Sequence, residues 1–154
     1  MGLFADTFAA LFALEDQVVD QFPGLQRFDW QPRRRPNGDA LWNWIVPDGG
    51  EAEWPDFSRH RDVIVIRATI AVKESADDQG QVGRLRDYID GFVNVIDPAL
   101  HSANSAPWLT FPGCGVQAWR TGMNTALYPY SPNDPPLLAV DFPIRLQLDR
   151  NTFT

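Results

Sequence analysis

Few residues in this sequence could do covalent or metal chemistry. The histidines are His60 and His101, and the single cysteine is Cys114. A zinc-type site needs His, Cys or carboxylate ligands converging at fixed spacing, and the sequence has no CxxC, HxxxH or HExxH pattern. Cys114 stands in Pro112-Gly113-Cys114-Gly115, a setting that can expose a thiol. A nucleophile there would need His101 brought to it by the fold, and a buried or incidental cysteine is the expectation. His60, beside Arg61 and Asp62, is expected to be structural or solvated. No GxxxxGKS/T or GxGxxG run occurs, and Gly113-Cys114-Gly115 lacks a third glycine and a preceding strand. The pairs Asp77/Asp78 and Asp87/Asp90 read as a helix cap and a solvated helix face. No catalytic residue, cofactor site or metal site is expected, and the chain does not read as an enzyme.

Composition narrows the remaining classes. A chain of 154 residues is long enough to bury a core and is expected to form one domain over 1–154. Its formal charge of −7 argues against specific nucleic-acid binding, which needs clustered Lys and Arg. Arg33-Arg34-Arg35 is the local exception. A lone cysteine forms no intrachain disulfide, which fits a reducing compartment. No apolar run approaches the roughly 20 residues that span a bilayer, so no membrane partner is expected. The stretch MGLFADTFAALFALEDQ carries Asp6 in its apolar part and has no basic lead, so it is not expected to be a signal peptide. Met1-Gly2 begins like a myristoylation site, but Thr7 lies one place beyond the usual hydroxyl.

The elements that must position any site follow from periodicity. Within Val63–Val72 the even positions, Ile64, Ile66, Ala68, Ile70 and Val72, are all apolar, which predicts a half-buried strand. After Asp77 or Asp78 as N-cap, Val82, Leu85, Ile89, Phe92, Val93 and Ile96 make a helical stripe. Asp97-Pro98 is expected to end that helix. Residues 3–22 predict an amphipathic helix with Leu3, Phe4, Phe8, Leu11, Phe12, Val18, Val19 and Phe22 inward and Glu15 on the polar side. Residues 23–60 predict a hairpin and loops. The hairpin turns at Asn37-Gly38 and has a basic tip, and 47–60 are loop. Residues 100–115 read as a long connection, followed by short strands at 116–121 and 125–130. In Leu137–Leu148, Leu138, Val140, Phe142, Ile144, Leu146 and Leu148 share one face, and Pro143 predicts an edge position or a bulge. The fold class is α+β, a mostly antiparallel mixed sheet flanked by two main helices.

Function then rests on surfaces. With six Trp and ten Phe, aromatic residues on loops are candidates for interface anchors. They are Trp54, Trp108, Tyr128 and Tyr130, joined by the basic Arg33, Arg34 and Arg35. The order helix, hairpin, VIVIRATIAV strand, helix and LLAVDFPIRLQL strand resembles the tail terminator (minor tail or tail-completion) proteins of long-tailed phages and phage-like particles. The carriers are Ile66-Arg67-Ala68, Asp77-Asp78, Val95-Ile96-Asp97-Pro98-Ala99-Leu100 and Leu138 to Ile144, within the last three-fifths of the chain. The Trp- and Pro-bearing region 23–60 departs from that pattern.

The resemblance implies a structural virion protein of the tail or neck, made in the host cytoplasm. It implies a homo-oligomeric ring, commonly a hexamer, that caps the tail tube protein and meets the head-side connector protein, with no catalytic residues. A head–tail connector or neck subunit is the alternative among structural proteins. A small-molecule-binding or hydrolytic α+β domain using Cys114 and His101 is the alternative of another class.

Overall fold

The computed structural model describes residues 2–46, 51–56, 59–75, 78–101 and 107–151. The chain runs α1 (Leu3–Val19), β1 (Leu25–Arg27), β2 (Asp39–Ile45), β3 (Glu51–Asp56), β4 (Arg59–Val72), α2 (Asp78–Leu100), β5 (Leu109–Phe111), β6 (Cys114–Arg120), β7 (Asn124–Tyr128) and β8 (Leu137–Asn151). All eight strands form one sheet in the order β1-β2-β4-β8-β6-β5, with β3 added to β4 and β7 to β8. Among the described residues only the β1–β2 pair is parallel. The architecture is the expected α+β fold, a mostly antiparallel mixed sheet with two helices. None of its helices, among the described residues, is long and apolar enough to cross a membrane.

The two long strands are the spine. β4 and β8 pair antiparallel from Arg59↔Asn151 to Val72↔Leu138. The register sets Ile66 opposite Ile144, Ala68 opposite Phe142 and Ile70 opposite Val140, so the two apolar alternations fall on one face. Both helices pack there. Leu11 and Val18 of α1 and Leu85, Tyr88, Phe92, Ile96 and Leu100 of α2 join these strands in the main core, where Phe92 stacks on Phe142 at 4.2 Å. The opposite face carries a smaller cluster of Ala40, Trp42, Ala71, Leu137 and Ala139, flanked by Phe28, Tyr128 and Tyr130.

Several expectations need correction. Leu25–Arg27 pairs parallel with β2, with Leu25 opposite Asp39 and Arg27 opposite Leu41, so residues 28–38 are a crossover and not a hairpin. Phe28 still bonds the ladder through its N–H to Leu41 O at 2.8 Å, so strand alternation sets Leu25 in the helix-side core and Phe28 in the cluster on the other face. Glu51–Asp56, expected as loop, is a strand paired with β4. The 100–115 connection contains β5, which turns through Pro112-Gly113 into β6. Gly113 has φ 72°, the left-handed conformation that the second central residue of a type II turn requires.

Proline is also tolerated where the sequence argued otherwise. Helix α2 continues through Pro98 to Leu100, closed by the His101 N–H bonding Asp97 O at 3.0 Å. Within one turn of the end, a missing N–H removes a single bond, while Leu100 still reaches the core. β8 is a central strand, not an edge. Its outer side is shared by β7, up to Asp141, and β6, from Ile144, so Pro143 falls in the gap between them. The Pro143 carbonyl accepts from Thr121 N–H at 2.9 Å, so its ring nitrogen faces the same gap and no ladder bond is lost.

Helix α1 is rotated from its expected setting. Its buried residues are Thr7, Leu11, Glu15 and Val18, which places Glu15 against the sheet, while Phe4 is exposed and Phe8 and Phe12 are half-buried. Thr7 satisfies its hydroxyl by donating to Leu3 O at 2.8 Å. Of the candidate caps of α2, Asp77 lies outside the described residues and Asp78 opens the helix.

Candidate functional site

The least conventional chemistry in the fold lies between α1 and β2. In the β2 register, Leu41 and Asn43 point to the helix side with Ile70 and Ala68 opposite, and the rotated α1 sets Glu15 above them. Asn43 Nδ2 donates to Glu15 Oε1 at 2.7 Å. Glu15 is 0 % exposed and Asn43 is also buried. Burial pushes the Glu15 carboxyl up from 4.5 to about 8, against the lowering effects of the Asn43 hydrogen bond and the charge of Arg27. Asp16 and Asp29 add to the rise. The side chain is therefore a neutral acid at pH 7. Among the described residues, Glu15 Oε2 and Asn43 Oδ1 have no hydrogen-bond partner.

A pocket of about 300 Å³ adjoins this pair. Phe8 and Phe12 of α1, Trp30 of the crossover, and Asn43, Trp44 and Ile45 of β2 line it. Each follows from a feature already described: the rotation of α1 turns the two Phe rings outward, and the short β1 stops before it can cover the end of β2. Arg27 closes the far side of the helix, lying 4.8 Å over the Phe12 ring while pairing with Asp16 and Asp29 at 2.6 Å each.

Two further buried carboxylates serve as joints. Asp39, at the start of β2, accepts from Lys73 N–H at 2.9 Å, Tyr88 Oη at 2.5 Å and Arg84 Nε at 3.0 Å, tying α2 to the sheet. Burial first, then the bond to Asp39, drives the Tyr88 phenol well above its usual range. On the opposite face Asp141 accepts from Thr69 Oγ1 at 2.6 Å and from Tyr128 Oη at 2.9 Å.

The residues singled out in the sequence are dispersed. Arg33 and Arg34 are exposed, but Arg35 pairs with Glu74 and donates to Pro135 O at 3.3 Å, fastening the crossover loop. Tyr128 packs edge-on against Trp42 at 5.3 Å. Tyr130 Oη donates to Pro32 O at 3.0 Å. Trp108 packs against the main core. Trp54 lies in β3, and its side chain is outside the described residues. Cys114 is buried at the start of β6, and burial pushes its thiol up; His101 is exposed at the end of α2. His60 lies 3.3 Å from Asp62.

Sequence reasoning missed Glu15, Asn43 and Asp39. A helical phase drawn through the Phe residues puts Glu15 outward; its place four residues after Leu11 is the signal for the inward setting. No family model matches the chain, and a search among curated proteins returned no match.

Proposed function

We propose that this chain is a structural subunit that closes into a ring, in the manner of the tail terminator proteins it resembles, capping a tail tube and meeting the head-side connector. What supports the reading is the distribution of exposed apolar side chains. On the β2 flank Trp30 is 65 % exposed, with Trp44 and Ile45 beside it. On the other side of the sheet, along β7, Leu127 is 62 % and Met123 51 % exposed. Among the described residues β7 pairs only with β8, so its outer edge offers backbone donors and acceptors to another strand. Two different sticky flanks on opposite sides of one sheet suit a head-to-tail interface, which repeats until rotation closes it.

Variant mixing tests this directly. Each interface uses the β7 flank of one copy and the β2 flank of the next, so Leu127→Arg alone and Ile45→Arg alone are both expected to stay monomeric. An equimolar mixture has one intact flank from each variant and is expected to give a dimer and nothing larger. Either variant assembling like the unmodified chain would refute the reading.

A further inference from the structure

We propose that Glu15 and Asn43 form a proton-held latch, each giving the other one hydrogen bond, and that loss of the proton frees α1 while the sheet stays paired. The bonding follows from what the pair leaves open. Asn43 Nδ2 donates to Glu15 Oε1 at 2.7 Å, while Glu15 Oε2 and Asn43 Oδ1 lie buried without a partner among the described residues. Two bare acceptors in one buried pair are unfavourable. One hydrogen resolves both, because a carboxylic acid carries an O–H donor that an amide oxygen accepts. Glu15 holds that hydrogen at neutral pH, since burial raises its carboxyl to about 8. The carboxylate has nothing to give Asn43 Oδ1 and is a buried charge.

Helix α1 is the element such a latch can control. Its buried face is Thr7, Leu11, Glu15 and Val18, so half of that face is polar, whereas α2 buries Leu85, Tyr88, Phe92, Ile96 and Leu100. Gly2 offers no side-chain cap and the last turn has no basic residue, so neither a cap nor a C-terminal charge supports the helix. α1 shares no ladder with the sheet, and elements held by few buried apolar groups open first.

The charges acting on the carboxyl are Arg27 of β1, Asp16 of α1 and Asp29 of the crossover. On the same face β2 and β4 present Leu41, Asn43, Ala68 and Ile70, none of which titrates. Tyr88, which α2 brings to this core, is bonded to Asp39 and stays neutral. Between the exposed acid near 4.5 and the seated acid at about 8, opening grows nearly tenfold per pH unit, and it levels off above that. In the assembly proposed above, Phe8 and Phe12 border the β2 flank beside Trp30, Trp44 and Ile45, so release of α1 withdraws that flank. This consequence rests on the ring reading; the latch does not.

Amide hydrogen exchange, corrected for the intrinsic rate, is measured on the unmodified chain and on Leu127→Arg, which the ring reading makes monomeric. A failed ring and a failed latch are thereby told apart. Residues 11–18 of α1 are expected to exchange through a smaller opening than β4 and β8, one that low urea leaves unchanged. Their protection is expected to fall nearly tenfold per pH unit from about pH 5.5 to 7.5. Glu15→Gln keeps both bonds at every pH, its amide N–H donating to Asn43 Oδ1, and is expected to hold that protection level. The infrared band of the protonated acid, absent in Glu15→Gln, is expected to move to higher frequency in Asn43→Leu, where the acid has lost both bonds. If Asn43→Leu does not fold, exchange in Glu15→Gln still decides. α1 exchanging only in the same opening as β4 and β8, a pH slope that survives Glu15→Gln, or an acid band unmoved by Asn43→Leu overturns the proposal. Should the ring fail to form while the α1 results hold, the latch stands and only its link to assembly is lost.

Discussion

Glu15→Gln tests the buried acid most sharply. Gln keeps an oxygen to accept from Asn43 Nδ2 and fills nearly the same volume, but it never ionises. In the folded chain the Glu15 carboxyl is raised from 4.5 to about 8, chiefly by burial. Because the folded state holds this proton more tightly than the unfolded chain, its contribution is fully present below about pH 4.5. It is lost as pH rises, until the folded acid also ionises near pH 8. The loss runs at about 1.4 kcal/mol per pH unit, or on the order of 4 kcal/mol across the window. In urea titrations from pH 5.5 to 8 the loss is about 3 kcal/mol, which at an m-value near 2 kcal/mol/M lowers the midpoint by roughly 1.5 M. Glu15→Gln is expected to flatten that slope and to exceed the unmodified chain in stability at pH 8. Parallel pH profiles for the two proteins would refute the argument that Glu15 is buried and protonated.

Other joints make separate predictions. Asp39→Ala strands Arg84, Tyr88 and the Lys73 N–H, and is expected to cost about 3–5 kcal/mol in chemical denaturation; Asp39→Asn retains an acceptor and should cost less. Gly91 lies where an added Cβ would come 2.5 Å from Phe22 Cε2, and the Phe22 ring is itself set edge-on to Tyr88 at 5.0 Å. Gly91→Ala is therefore expected to destabilise the chain by about 1–2 kcal/mol. In a Phe22→Ala background the same change is expected to stabilise by nearly 1 kcal/mol, because Ala is the better helix former; a double-mutant cycle checks the reversal. The buried, raised Cys114 thiol is expected to react with a disulfide reagent only on unfolding, and fast labelling of the native chain would contradict its placement.

The parts of this fold legible in the sequence are those where one period ruled a long stretch. The apolar alternation of β4 and β8 lines the helix-side core, with Ile64 and Leu138 half-buried, while Ala71, Leu137 and Ala139 are buried on the other face as well; the α2 stripe from Leu85 to Ile96 faces the core as its spacing requires. Elements fixed by distant partners were not legible. β1 pairs parallel with β2, so residues 28–38 cross over and do not turn back, a long-range pairing that Asn37-Gly38 does not encode. Pro143 sits in a central strand because β6 and β7 divide the side that would have needed its donor. Region 23–60 supplies most of the candidate pocket. Its chemistry depends on the rotation of α1, and the sequence marks that rotation only through Thr7, Leu11 and Glu15 at four-residue intervals.

The central claim is assembly, and the most direct measurement is the solution mass of the purified chain by light scattering across concentration, with negative-stain images of the same samples. The account predicts a closed ring of about six subunits above a threshold concentration, with no larger species beyond closure. A strict monomer across the whole range, with no rings in the images, would contradict it.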